Sequence, residues 1–121
     1  MLKVGLIDND IHLQKSLMEF WGEELEVQIL TSGDLGLEGS DCLDVVIVDP
    51  QALEGKVSRF VRDLRERAPG TALVFTYVYN DVNQNLEETL LDQAEVCVVK
   101  PFDLHKLKQT IRWAVDKRRS A

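Results

Sequence analysis

Val45-Val46-Ile47-Val48-Asp49-Pro50 sets the reading of the whole chain. Four consecutive β-branched residues do not alternate with polar ones, so both faces of the segment must be buried. The run is too short for a buried helix, and that combination belongs to an inner strand of a parallel sheet. Proline, which lacks an N–H, ends the run directly after a carboxylate. Working outward, four more short apolar runs have the same character, at residues 2–7, 27–30, 72–76 and 96–99.

Between these runs the periodicity changes to that of a helix. Leu13, Leu17, Phe20 and Trp21 recur at i, i+4, i+7 and i+8, and Val57, Phe60, Val61 and Leu64 repeat the pattern before Ala68-Pro69-Gly70 closes it. Asn80 or Asp81 can cap a helix carrying Leu86, Leu90 and Ala94. Asp103 can cap a last helix that buries Leu104, Leu107, Ile111 and Ala114, with Phe102 and Leu107 spaced as a hydrophobic staple. Residues 32–44 hold three glycines in little length, so the second helix is expected to be one or two turns. Five alternations of strand and helix imply right-handed crossovers and a doubly wound α/β sandwich with helices on both faces. For a chain of this size the expected sheet is flavodoxin-like, five-stranded and parallel, in the order 2-1-3-4-5. Its switch point lies between the ends of the first and third strands.

The 121 residues suffice for one domain spanning 1–121, with a core that needs no disulfide or metal. Fourteen basic against 21 acidic residues leave a net charge of −7, which disfavours direct binding to nucleic acid or to anionic membranes. Cys42 and Cys97 lie among apolar residues and read as reduced core thiols. The start has no signal-peptide pattern and no stretch reaches membrane-spanning length, so a cytoplasmic location is expected. His12 and His105 fall on polar helix sides without a metal partner at helical spacing. Trp21 and Trp113 read as packing residues, Trp113 being the better interface candidate. The tail Lys117-Arg118-Arg119 suits a helix C-terminus without any partner.

Chemistry gathers where the strands end. The first run is followed by Asp8-Asn9-Asp10, the third by Asp49-Pro50, the fourth closes on Thr76-Tyr77, and the fifth leads into Lys100-Pro101-Phe102. Ligands of open α/β sheets sit beyond the carboxyl ends of the strands, so this fold would bring three carboxylates, a hydroxyl and an ammonium to one rim. Crowded carboxylates need a cation among them. Hard oxygens with room for water suit Mg²⁺. A carboxylate beside that ion can attack phosphorus, with Lys and Thr meeting the transferred oxygens.

This ordered set resembles the receiver domain of bacterial two-component response regulators, over the whole chain. The resemblance implies a phosphoryl-accepting signalling switch with Asp49 as acceptor, Lys100 paired with the phosphoryl group and Thr76 as the switch hydroxyl. It implies Mg²⁺ held by Asp8, Asn9, Asp10, Asp49 and the Gln51 backbone carbonyl. The implied partners are a histidine kinase or phosphotransfer protein and a downstream protein or output domain. Signalling, and possible homodimerisation, would use the face built by the fourth helix, fifth strand and fifth helix.

Four departures mark a divergent member. The second of two adjacent acids is Asn9, which removes one negative charge from the metal shell. The loop after the acceptor, Pro50-Gln51-Ala52-Leu53-Glu54-Gly55, is short, and Pro50 offers no backbone donor. Tyr77 stands where a small residue is usual and can shield the site. Cys97 occupies the switch-aromatic position, for which Tyr77 or Tyr79 are the available substitutes. Each residue also has a plainer reading, Asp8 and Asp10 as helix caps and Asp49 as a turn residue. Two other functions compete with the switch. One is a degenerate receiver that binds proteins without phosphate. The other is a haloacid-dehalogenase-type phosphatase using Asp8-Asn9-Asp10, against which stand the short chain and the lack of a cap domain.

Overall fold

A computed structural model of the chain describes residues 1–31, 43–78 and 93–120. In chain order it has β1 (Leu2–Ile7), α1 (Ile11–Trp21), β2 (Leu25–Ile29), β3 (Val45–Val48), a 3-10 turn (Pro50–Leu53), α2 (Val57–Arg67), β4 (Ala72–Val78), β5 (Val96–Lys100) and α3 (Leu104–Arg119). The five strands form one sheet in the order β2-β1-β3-β4-β5. Every neighbouring pair is parallel. This is the doubly wound flavodoxin-like order expected from the alternation of patterns. The expected short helix within 32–44, Cys42, Tyr79 and the helix start at Asn80 or Asp81 with Leu86 and Leu90 lie outside the described residues.

Two cores flank the sheet because successive side chains along a strand point to opposite faces. On one face Val4, Leu6, Val45, Ile47, Ala72 and Val74 meet Leu17 and Trp21 of α1 and Leu107, Ile111, Ala114 and Val115 of α3. On the other, Ile7, Val46, Val48, Leu73 and Phe75 meet Phe60 and Leu64 of α2, with Ala94 and Cys97 packed at the margin. All four residues of β3 are buried, as the unbroken apolar run requires of a central strand. Gly5 permits close packing there: a β-carbon on it would come within 2.6 Å of Leu43 Cδ1 and 2.8 Å of Leu30 Cδ1.

The helix ends follow local chemistry. The Asp10 carboxylate accepts the His12 and Leu13 N–H groups to start α1. Asp103 does the same for His105 and Lys106 at α3, with Phe102 and Leu107 in one cluster as the staple spacing predicts. Both histidines are exposed.

Two expectations change. The second strand is Leu25–Ile29 rather than 27–30, because buried Leu25 anchors its start, while Leu30 still donates its N–H to the Leu6 carbonyl at 2.8 Å. Phe20 is 64% exposed and is not a core residue. The inward arc of α1 is centred on Leu17 and Trp21, and at 3.6 residues per turn Phe20 lies roughly 100° from Trp21.

At the amino ends of β4 and β5, the side chain of Glu95 is largely buried and joins the two layers. It accepts the Leu73 N–H at 2.6 Å. It also pairs with Arg65 of α2 at 3.1 Å and Arg118 of α3 at 3.3 Å. Arg65 further donates to the Thr71 and Gln93 carbonyls and Arg118 to that of Pro69. Removing the carboxylate would strand a backbone donor and two part-buried cations. Glu95→Ala is therefore expected to lower stability by about 2 kcal/mol, seen as a lower urea midpoint at unchanged slope. A midpoint equal to the wild type's would show the clamp to be idle.

Candidate functional site

Strand register assembles the site. Ile7 pairs with Val48 and Val48 with Phe75, so the next residues, Asp8, Asp49 and Thr76, form one row across three strands. Alternation puts all three on the side of the sheet that faces α1 and α3. Lys100 pairs with Val78, two residues beyond Thr76. It shares the parity of Val96 and Val98, which pack on the same side. Its long side chain thus reaches back over the row.

The Lys100 ammonium donates to Asp8 Oδ2 at 2.7 Å and to Asp49 Oδ2 at 2.8 Å. The remaining oxygens have matching partners, both from the residue two positions on. Asp8 Oδ1 accepts the Asp10 N–H at 2.8 Å, and Asp49 Oδ1 accepts the Gln51 N–H at 3.0 Å. Each acid therefore closes an Asx-type turn with one oxygen and holds the ammonium with the other. The Asp8 side chain is only 2% exposed, which leaves little water to compete for the pair.

Burial alone would depress the Lys100 pKa. The hydrogen bonds and charges of Asp49 and Asp8 outweigh that effect and raise it above the ordinary lysine value. Thr76 is completely buried, and its hydroxyl has no hydrogen-bond partner among the described residues. A buried hydroxyl left unmatched costs about 1–3 kcal/mol, a cost that an oxygen of a bound group would remove.

The other candidates divide. Asn9 is exposed beside the row. Asp10 is also exposed, and one oxygen of its carboxylate, Oδ1, caps α1. Among the described residues no three His, Cys, Asp or Glu side chains converge as a metal site. A hard cation here would thus rest on the Asp8 and Asp49 carboxylates, completed by neutral oxygens such as those of Asn9, the Gln51 carbonyl and water. That donor set fits Mg²⁺, which keeps several waters and needs few carboxylates. Pro50 opens the 3-10 turn, where no N–H is required. Tyr77 and Cys97 occupy the opposite parity from Thr76 and Lys100, both half-buried, and Cys97 packs on the α2 side.

Two contacts were not anticipated from the sequence. The Gln14 amide donates to the Asp8 carbonyl at 2.7 Å, and the Trp21 indole donates to the Leu104 carbonyl at 3.2 Å. The only signal for Gln14 was its place four residues after the cap Asp10, on the first turn above the acid loop.

With that geometry established, solved structures supply the comparison. A CheY-like response regulator receiver domain protein from Methanospirillum hungatei superimposes with a TM-score of 0.82 at 17% identity, covering 99% of this chain and 98% of that one. A response regulator receiver domain protein from Clostridium thermocellum gives 0.79 at 19%, covering 98% of each chain. The fold is that of a receiver domain. The crystal structure of an adenylate cyclase from Rhodopirellula baltica also matches, with a TM-score of 0.79 at 18% identity over 96% of this chain and 88% of that one. At such identities the likeness speaks to the receiver fold and leaves chemistry to the residues. No protein-family model matches the chain, and comparison with curated proteins finds no match. Among the described residues no helix is long and apolar enough to cross a membrane.

The Lys100 shift has a signed consequence. A lysine whose folded pKa is raised stabilises the fold below its unfolded value, roughly pH 10.4, and that contribution is lost as pH rises through the folded value. The stability difference between wild type and Lys100→Met is thus expected to be constant from pH 7 to 9 and to shrink above about pH 10. Urea midpoints across that range measure it; a difference already shrinking between pH 7 and 9 would contradict the bridged ammonium.

Proposed function

We propose that this receiver-fold chain is a phosphoryl-accepting signalling switch whose acceptor is Asp49. The contact of Asp49 with Lys100 at 2.8 Å carries the reading, because it sets the nucleophile beside a fixed positive charge. Asp49 Oδ would form a bond to phosphorus as the donor's bond to its leaving group breaks, and the leaving group departs with that electron pair. Lys100 balances the charge on the transferred oxygens, and the buried Thr76 hydroxyl, otherwise unmatched, donates to one of them. Mg²⁺, when bound through Asp8, Asp49 and the neutral oxygens of Asn9 and Gln51, supplies charge neutralisation for the transfer.

The donor would be a histidine kinase or phosphotransfer protein, and the response a change in affinity for a downstream protein or output domain. The face that includes β5 and α3 is the natural place for that response, and for a homodimer if one forms. Trp113 stands on it 53% exposed, with the Lys117 ammonium 5.0 Å from its ring centre. On this reading the chain is a substrate of phosphotransfer and works in the cytoplasm. The capping role of Asp10 tells against the Asp-x-Asp phosphatase alternative, which needs that carboxylate in the site.

Incubation with acetyl phosphate and Mg²⁺ is expected to add one phosphoryl group, detected by intact mass. Asp49→Asn should take none, and Asn9→Asp should lower the Mg²⁺ concentration needed. No modification at high Mg²⁺ in either wild type or Asn9→Asp would overturn the proposal.

One observation favours a second reading. Lys100 bridges both carboxylates and relieves their mutual repulsion, so the row holds together through the chain's own charges and can serve a phosphate-independent binding module. If Asp49→Asn leaves partner binding and phenotype unchanged, this second reading replaces the first.

A further inference from the structure

The segment Asp8-Asn9-Asp10 is held at three points. The Asp8 carboxylate is fixed by Lys100 and the Asp10 N–H. The Asp10 carboxylate is fixed to the first turn of α1. The peptide between Asp8 and Asn9 is fixed by the Gln14 side chain, through the Asp8 carbonyl at 2.7 Å. Gln14 also makes the first backbone bond of α1, its N–H donating to the Asp10 carbonyl at 3.1 Å. One residue thus anchors both ends of the turn.

Gln14 itself stands on a rigid element. Leu17 and Trp21 are fully buried, and Trp21 lies seven residues after Gln14, two turns along the same side of α1. The Trp21 indole donates to the Leu104 carbonyl, four residues beyond Lys100. By these two side chains α1 spans from the peptide that carries Asp8 to the first residue of α3, which follows closely on Lys100.

Satisfying a strand-end carbonyl is the plain role of such a bond, and water could fill it at a half-buried position. The identity of the peptide makes the difference. Rotating the Asp8–Asn9 peptide displaces the carboxylate that holds Lys100 and, with it, the Asn9 side chain. Since Asn9 carries no charge to draw it toward a cation, its placement depends on the backbone being held.

We propose that Gln14 is a positioning residue of the acceptor site, holding the Asp8–Asn9 peptide so that their side-chain oxygens stay aimed at the cation beside Asp49. This rests on the reading of Asp49 as phosphoryl acceptor. Three variants separate the donor from mere bulk: Gln14→Met keeps the size without a donor, Gln14→Glu keeps the shape but only accepts, and Gln14→Lys keeps an N–H donor.

The first readout is hydrogen exchange of the Asp10 amide in metal-free protein. Exchange is expected to be about tenfold faster in Gln14→Met and Gln14→Glu and near wild type in Gln14→Lys. The second is the Mg²⁺ concentration giving half-maximal phosphorylation of Asp49 by acetyl phosphate. It should rise several-fold in Gln14→Met, the variant that leaves the charge beside the cation unaltered, with the rate at saturating Mg²⁺ unchanged. Wild-type values for both readouts in Gln14→Met, or Asp10 amide exchange in Gln14→Lys as fast as in Gln14→Met, overturns the inference. A wild-type chain that takes no phosphoryl group overturns the acceptor reading instead, while the exchange rates still decide whether Gln14 holds the peptide.

Discussion

Two carboxylates at the end of adjacent parallel strands repel one another unless a cation lies between them, and here the chain provides that cation from β5, at the edge of the sheet. Asp8 stands after β1, Asp49 after β3, and Lys100 closes β5, so the ammonium must cross the width of β4 to touch both acids. The contact exists only if three strand pairings keep register. A slip of one residue in any of them would turn its functional side chain to the α2 face. The site and the sheet are therefore a single constraint: whatever holds the pairing of β1, β3, β4 and β5 also holds the charges together.

The two ends of the sheet treat charge differently. At the amino ends, Glu95 is matched by two arginines and a backbone N–H, and those arginines are in turn spent on carbonyls. That network joins helices on opposite faces; Gln93, whose backbone carbonyl Arg65 meets, keeps its side-chain oxygen buried and unmatched among the described residues. At the carboxyl ends, two acids share a single ammonium and the Thr76 hydroxyl is left unmatched among the described residues. The first network is scaffold, tying helix to helix. The second lies at the strand ends where ligands of such sheets sit and retains a capacity to bind.

Much of this was legible beforehand because a doubly buried strand leaves a strong mark. Val45–Val48 could be read from its unbroken apolar run, a doubly wound parallel sheet follows from alternation with helices under a handedness rule, and the order of its strands was read from the size of the chain. The acids, the hydroxyl and the lysine were legible because each stands directly after, or at the end of, such a run. Other features left no such mark. Phe20 fitted the helical spacing yet lies outside the packed arc, since i+7 from Leu13 and i+3 from Leu17 give only a flanking position. Asp10 had two readings that spacing cannot separate, cap and metal arm, and its Oδ1 bonds to His12 and Leu13 show the cap. Gln14 was unreadable because a side-chain bond to a carbonyl six residues back depends on how the intervening turn folds.

Asn9 has consequences that run in opposite directions on the acceptor reading. Two carboxylates and one ammonium leave the row with one net negative charge, where a second acid after β1 would leave two. A unit charge about 4 Å away is worth roughly 4 kcal/mol at the effective dielectric near a protein surface. The missing charge therefore weakens the hold on a divalent cation. It also removes repulsion toward an incoming phosphoryl dianion, whose charge has the same magnitude and the opposite sign. To first order the two changes offset, so losing the acid alters the metal requirement more than it alters the capacity of Asp49 to accept. The remaining oxygens then depend for their placement on the backbone around Asp8, and the hydrogen bonds of that turn do work that charge performs elsewhere.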